Sequence, residues 1–295
     1  MEIENLTFKT EKEYKEFLDY LFSIRDIEYR DFNTKIIIPV DSEIIGIRTP
    51  ILRNIGKKIA KTSSENFLNF FEKLFTKKKV KYHEEKVLYG FIIGYSKIDF
   101  QKRLKRIDFF INIIDNWAVC DIVDSSFKFI NKNKEDFYTY LTSKLSATNP
   151  WEQRFIFVML LAYYVEEKYL KDIFKICEKI KSDEYYVKMA KAWLLSVCYV
   201  KHKNETYKFL EKTKLDDWTV NKSIQKVRES LRVTKEEKEK EADCFAANLL
   251  MPEVMVRKEL KEYPFLKNSI QLLADRFGVS SSAMTYRLKN LGIIK

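Results

Sequence analysis

The 295-residue chain is poor in turn formers, with 6 Gly and 5 Pro. A many-stranded fold needs more turn chemistry than that, so long helices joined by short polar loops are the expected architecture. Histidine is almost missing as well, with His83 and His202 the two in the chain. A His-Glu-x-x-His zinc site cannot be built from them, because in His83-Glu84-Glu85-Lys86-Val87 a valine stands at the second ligand's place. The four cysteines, Cys120, Cys177, Cys198 and Cys244, lie far apart in apolar helical contexts. They read as reduced packing residues of a cytoplasmic protein, not as a disulfide framework or a zinc knuckle. No uncharged run reaches the length of about 18 residues that a membrane-spanning helix needs. The start, Met1-Glu2-Ile3-Glu4-Asn5, has no apolar core of a signal peptide. Nothing in the chain implies a cofactor.

What is present is an ordered composition, 46% hydrophobic and 33% charged, long enough to bury a core and to hold two domains. The net charge of +11 and the pI near 9.2 fit a polyanionic partner, duplex DNA or an anionic membrane surface. An AT-rich genome would give the same Lys, Ile and Asn richness, so charge alone does not choose.

Apolar periodicity predicts a helix over 10–25, capped by Thr10, and irregular or extended chain over 26–48. Lys35-Ile36-Ile37-Ile38-Pro39-Val40 has strand composition but no evident partner. Thr49-Pro50 opens a helix to about Ala60, with Thr as N-cap and Pro at the first helical position. Further helices are expected near 64–76, 82–95, 99–112, 117–131, 134–145, 151–165, 167–181, 184–202, 204–212 and 218–230. Pairs of 35–40 residues suggest an all-α solenoid of HEAT type, with a compact bundle as the alternative. The charged run Val233–Glu241 marks a domain boundary near residue 232, giving domains 1–232 and 233–295.

The chemistry is placed on Ile113-Ile114-Asp115-Asn116-Trp117-Ala118-Val119-Cys120-Asp121. Trp117 and Asp121 stand one turn apart on a single helical face, and Asp124 extends that face. A core tryptophan with a satisfied interhelical carboxylate is the plainer alternative. Asn149-Pro150-Trp151-Glu152-Gln153-Arg154 and Val187-Lys188-Met189-Ala190-Lys191-Ala192-Trp193 add two more Trp-bearing helices.

With Gly46-Ile47-Arg48-Thr49-Pro50-Ile51-Leu52-Arg53, these segments resemble, in order and over about 10–230, the AlkD-like DNA alkylation repair glycosylases built from HEAT-like repeats. The resemblance implies duplex DNA, alkylated at purine N3 or N7, as partner. Trp117 and Trp193 would flank the lesion sugar, Asp121 would be the catalytic carboxylate, and Arg154 would hold the backbone beside it. Lys188 and Lys191, which flank the Trp193 stripe, are the accompanying candidate DNA contacts. A cationic base is already a good leaving group, so a carboxylate and aromatic faces suffice to stabilise the oxocarbenium-like sugar. Asp124 is the rival carboxylate. Where many relatives carry Arg one turn after the second Trp, this chain has Ser196.

Residues 237–294, including Glu239–Pro252 and Leu272–Ser280, resemble the tail of ImmA/IrrE-type metallopeptidases, without their zinc motif. No proteolysis and no metal are expected. Residues 269–291 also read as a helix-turn-helix, with Ala274 at the crossing, Gly278 at the turn and Ser280 as cap. Ser281, Ser282, Thr285, Tyr286 and Arg287 are its candidate DNA contacts; with just Arg287 and Lys289 as cations on the second helix, a packing module is the plainer alternative. The alternatives to a glycosylase are thus a regulatory DNA-binding protein acting through this tail and a protein-binding solenoid scaffold.

Overall fold

The computed structural model describes residues 2–38, 41–230, 251, 253–262 and 269–294. The fold is all-α, a HEAT-like solenoid followed by a small helical region, with sixteen α-helices among the described residues. The chain divides into two compact units, Met1–Cys198 and Tyr199–Lys295. The boundary expected near 232 falls within residues 231–250, which lie outside the described ones.

The first unit contains α1 (Glu11–Ser23), α2 (Ile27–Ile36), α3 (Thr49–Thr62), α4 (Ser64–Thr76), α5 (His83–Tyr95) and α6 (Phe100–Ile113). There follow α7 (Trp117–Ile122), α8 (Lys134–Ser143), α9 (Pro150–Tyr163), α10 (Glu167–Lys179) and α11 (Tyr185–Lys201), which runs across the division. Local chemistry sets the starts. Thr10 and Glu13 form a reciprocal capping box on α1, and Asp99 accepts from Gln101 N and Lys102 N on α6. Helix α5 is the hub: α3, α4, α6 and α7 all pack on it, and every residue from His83 to Ile93 is buried. A helix enclosed on all sides reads as apolar all round, which is why its periodicity is weak. Cys120, Cys177 and Cys198 are buried thiols.

The structure departs from the sequence expectations at three places. The stretch 26–48 is not irregular throughout, because it contains α2, capped by Asp26 accepting from Tyr29 N. Helix α3 begins one residue early, at Thr49, so Arg48 stands at the cap position and Thr49 does not cap. The helix expected over 117–131 ends at Ile122 and continues as two 3-10 turns, Asp124–Ser126 and Lys128–Lys132. Close packing explains that break. A Cβ on Gly90 would meet Val123 Cγ1 at 2.6 Å, and one on Gly94 would meet Ser126 O at 2.8 Å. The chain leaves the helical path in order to lie against these two glycines of α5.

The second unit contains α12 (Lys203–Lys212), α13 (Asp217–Glu229), α14 (Glu253–Glu262), α15 (Ser269–Phe277) and α16 (Ser281–Asn290). Met251, Val256, Leu273, Ala274, Met284 and Leu288 form a small core. Gly278 has a left-handed φ of 62° and Ser280 accepts from Ala283 N, as the helix-turn-helix reading expects. No helix among the described residues is long and apolar enough to cross a membrane.

Candidate functional site

Helix α7 is only six residues long, so its orientation depends on what caps it. Asn116 Oδ1 accepts from Ala118 N and Val119 N at 3.0 Å each. Its Nδ2 must then face away, where it donates to Asp115 Oδ1 at 2.8 Å and reaches His83 Nδ1 at 3.3 Å. That orientation leaves His83 Nδ1 as acceptor, the neutral Nε2–H tautomer, and burial lowers the His83 pKa to match. Asp115 Oδ2 takes Lys86 Nζ at 2.8 Å and Ser42 Oγ at 3.0 Å. The start of α7 is therefore anchored in a buried polar network.

Trp117 and Asp121 sit one turn apart on α7, each partly exposed. Trp117 Nε1 donates to the Ile36 carbonyl at the end of α2, at 3.2 Å. Arg154, on α9 and 4% exposed, donates Nε to Asp121 Oδ1 at 3.0 Å and Nη2 to Oδ2 at 2.5 Å. This is the fork geometry in which guanidinium and carboxylate match most fully. Arg154 Nη1 donates to Tyr186 O on α11 at 2.6 Å, and Tyr186 in turn lies 5.4 Å from the Trp151 ring. Helices α7, α9 and α11 thus meet at Arg154. Burial raises the Asp121 pKa above the usual carboxylate value, and Arg154 opposes that rise. Trp193 is half-buried on α11, one turn before Ser196, whose hydroxyl donates to the Trp193 carbonyl at 2.7 Å.

Asp124 lies beyond the break, in the first 3-10 turn, so the spacing of α7 no longer sets its direction, although the Asp121 charge still acts on it. Its carboxylate accepts from Ser125 N. Burial raises its pKa, the Ser125 amide opposes this, and the Asp121 charge adds to it.

The expected DNA contacts fare differently. Arg154 is not placed to hold a DNA backbone: it is buried and its fork is taken by Asp121 and Tyr186. Lys191 is 3% exposed, donates to the Ile180 carbonyl at 2.7 Å and stands 5.6 Å from the Phe157 ring centre, so it closes the end of α10 instead of meeting phosphate. Lys188 is half-buried on α11. Arg287 is 5% exposed and donates Nε to Met251 O at 2.9 Å, which makes it part of the tail's core. Thr285 donates back to Ser281 O at 2.7 Å, while Ser282, Tyr286 and Lys289 stay exposed on α16.

Sequence reasoning missed the network under α7. Its members His83 and Lys86 stand out in the sequence only as parts of a failed zinc motif. Four consecutive polar residues opening an otherwise apolar helix were the available signal. Glu239, Glu241 and Cys244 lie outside the described residues. A cleft of about 470 Å³ between α4 and α6, lined by Leu68, Ile98, Lys102, Arg106 and Phe109 among others, contains none of the candidate residues.

Fold and site together define an all-α repeat protein that presents an arginine-held carboxylate one turn from a half-exposed tryptophan. The chain belongs to the DNA alkylation repair enzyme family, whose model matches residues 12–233. A second model, the IrrE N-terminal-like domain, matches residues 219–289. No curated protein matches the chain.

Proposed function

We propose that the protein is a DNA glycosylase that removes cationic N3- or N7-alkylated purines from duplex DNA. The observation that carries this reading is the Asp121–Arg154 fork beside Trp117. A carboxylate in a half-buried site tends to lose its charge; a bidentate guanidinium keeps it ionised and fixes its direction. Arg154 is therefore a positioning residue that acts through Asp121.

In the reaction the C1′–N bond breaks and its electron pair leaves with the base, which cancels the base's positive charge. The sugar becomes oxocarbenium-like, and Asp121 with the faces of Trp117 and Trp193 stabilises it. Water then adds at C1′, and its proton passes to Asp121 or to solvent. A deep base pocket is not required when the leaving group departs unaided.

The test is a single-turnover assay on duplex DNA carrying N7-methylguanine or N3-methyladenine. Release of the free base, slowed by Asp121→Asn, is the expected result. No release by the intact protein, at saturating enzyme and low salt, would sink the reading.

A further inference from the structure

Helix α2 has no buried residue of its own, and Ile27, Phe32 and Ile36 on it are exposed. Yet its last carbonyl, Ile36 O, is the acceptor for the Trp117 indole N–H. One apolar anchor lies just beyond it, in the buried C-cap residue Ile37. The returning segment 41–48 adds a polar hold, and buried charges on α5 hold that segment. Glu84, 2% exposed, accepts from the amides of Ile45 at 3.0 Å, Gly46 at 2.7 Å and Ile47 at 3.2 Å. Gly46, at φ 100°, lies so near α2 that a Cβ there would meet Arg30 Cβ at 2.6 Å. Asp26 N, at the start of α2, donates to Gly46 O at 2.9 Å. Lower in the segment, Ser42 Oγ holds Asp115, whose counter-ion is Lys86.

Trp117 is therefore restrained twice. Its backbone is fixed through Asn116 and Asp115, its ring through Ile36, and the same return segment serves both. We propose that Ser42, Glu84, Lys86 and Asp115 are positioning residues for Trp117, which lock the indole at the reaction site through the α2 end and the α7 cap. This inference rests on the glycosylase reading for its catalytic meaning. An aromatic face stabilises a cation only when it stands over it, and misplacement by about 1 Å can cost on the order of a hundredfold in rate.

The test uses the full chain and the indole N–H resonances, assigned by replacing each tryptophan with phenylalanine. Ser42→Ala removes one hydrogen bond and no charge, so the protein should fold. Ser42→Thr keeps the hydroxyl. In Ser42→Ala the Trp117 indole proton should exchange with solvent roughly tenfold faster or more, while the Trp151 and Trp193 signals hold still. Excision should slow by roughly tenfold to a hundredfold with DNA affinity changed by less than about twofold, and Ser42→Thr should restore both. Lys86→Met should produce the larger effect of the same kind. An unchanged Trp117 signal in Ser42→Ala overturns the proposal whatever the enzyme activity, and so does a changed signal with unchanged excision. A changed signal in a protein whose parent excises nothing supports the restraint and removes the glycosylase reading instead.

Discussion

Arg154 meets Asp121 through two parallel hydrogen bonds, Nε to Oδ1 at 3.0 Å and Nη2 to Oδ2 at 2.5 Å, with 4% of the arginine and 13% of the aspartate side chain exposed. A pair this enclosed has paid for its desolvation with geometry, and it fails asymmetrically when one member goes. That asymmetry separates the structural from the chemical contribution of each residue.

Arg154→Met should cost about 3–5 kcal/mol of unfolding free energy, because Asp121 is left as a buried unpaired charge. Burial already raises the Asp121 pKa, and Arg154 is the largest influence opposing that rise; without its fork the carboxylate also loses its fixed direction, so excision should be lost. The double variant Arg154→Met with Asp121→Leu should recover most of the stability and none of the activity. Urea titration of the single and double variants measures this. Equal stabilities for the parent and the single variant would show that the fork contributes nothing.

Asp121→Asn should lower the excision rate by roughly 30- to 1,000-fold, the equivalent of about 2–4 kcal/mol of electrostatic stabilisation. From the sequence, little loss of stability is expected of this change. The structure revises that: the amide leaves Arg154 without its counter-charge, so the melting temperature should fall as well. Asp124→Asn separates rate from stability. Asp124 stands past the break in α7, so excision should stay nearly intact, measured in single turnovers at a temperature where both variants are folded. Loss of excision in Asp124→Asn alone would transfer the role to it.

How far the sequence reached follows from which interactions are local. Caps and amphipathic stripes are local, so the bounds of α4, α5 and α6 were legible within a residue or so. The break in α7 was not, since it is set by Gly90 and Gly94 over thirty residues away. Trp117 and Asp121 could be paired because one turn of helix joins them. The inward turn of Lys191 and Arg287 depends on carbonyls at Ile180 and Met251, and those contacts are invisible to spacing. Helix α2 was missed because its exposed apolar residues and its loop partners obey no single period.

His83 should make stability depend on pH. Its imidazole is buried, neutral and accepting at Nδ1, and its pKa is lowered from 6.5. Below about 6.5 the unfolded chain takes up a proton that the folded chain resists, so stability is full above that pH and declines beneath it. Glu85, Asp121 and Asp124 have raised pKa values and pull the opposite way in acid. The informative quantity is therefore a difference. From about pH 7 to about pH 5, His83→Gln should lose less stability than the parent by on the order of 1 kcal/mol. Parallel curves for the two proteins would show that His83 does not resist protonation.

Gly94→Ala should disturb the site from a distance. Its Cβ would press on the Ser126 side chain and lie 2.8 Å from Ser126 O, a backbone atom that cannot swing away. The 3-10 turn from Asp124 to Ser126 must then shift off α5, at a cost of about 1–3 kcal/mol for an overpacked contact. The same turn receives the Tyr163 hydroxyl on Asp124 O, and Arg53 donates to Ile122 O just before it at 3.2 Å. Its movement should therefore reach the end of α7 and slow excision more than DNA binding. Gly278→Ala is the contrasting variant: nothing lies within 4 Å of its Cβ position, but φ is 62°. Its penalty should come from backbone strain alone, roughly 1–2 kcal/mol, and should leave excision at the parent's rate. Thermal denaturation and single-turnover excision on both variants test this. If Gly94→Ala proves as stable and as active as the parent, close packing of α5 on the 3-10 turn does not set the geometry of α7.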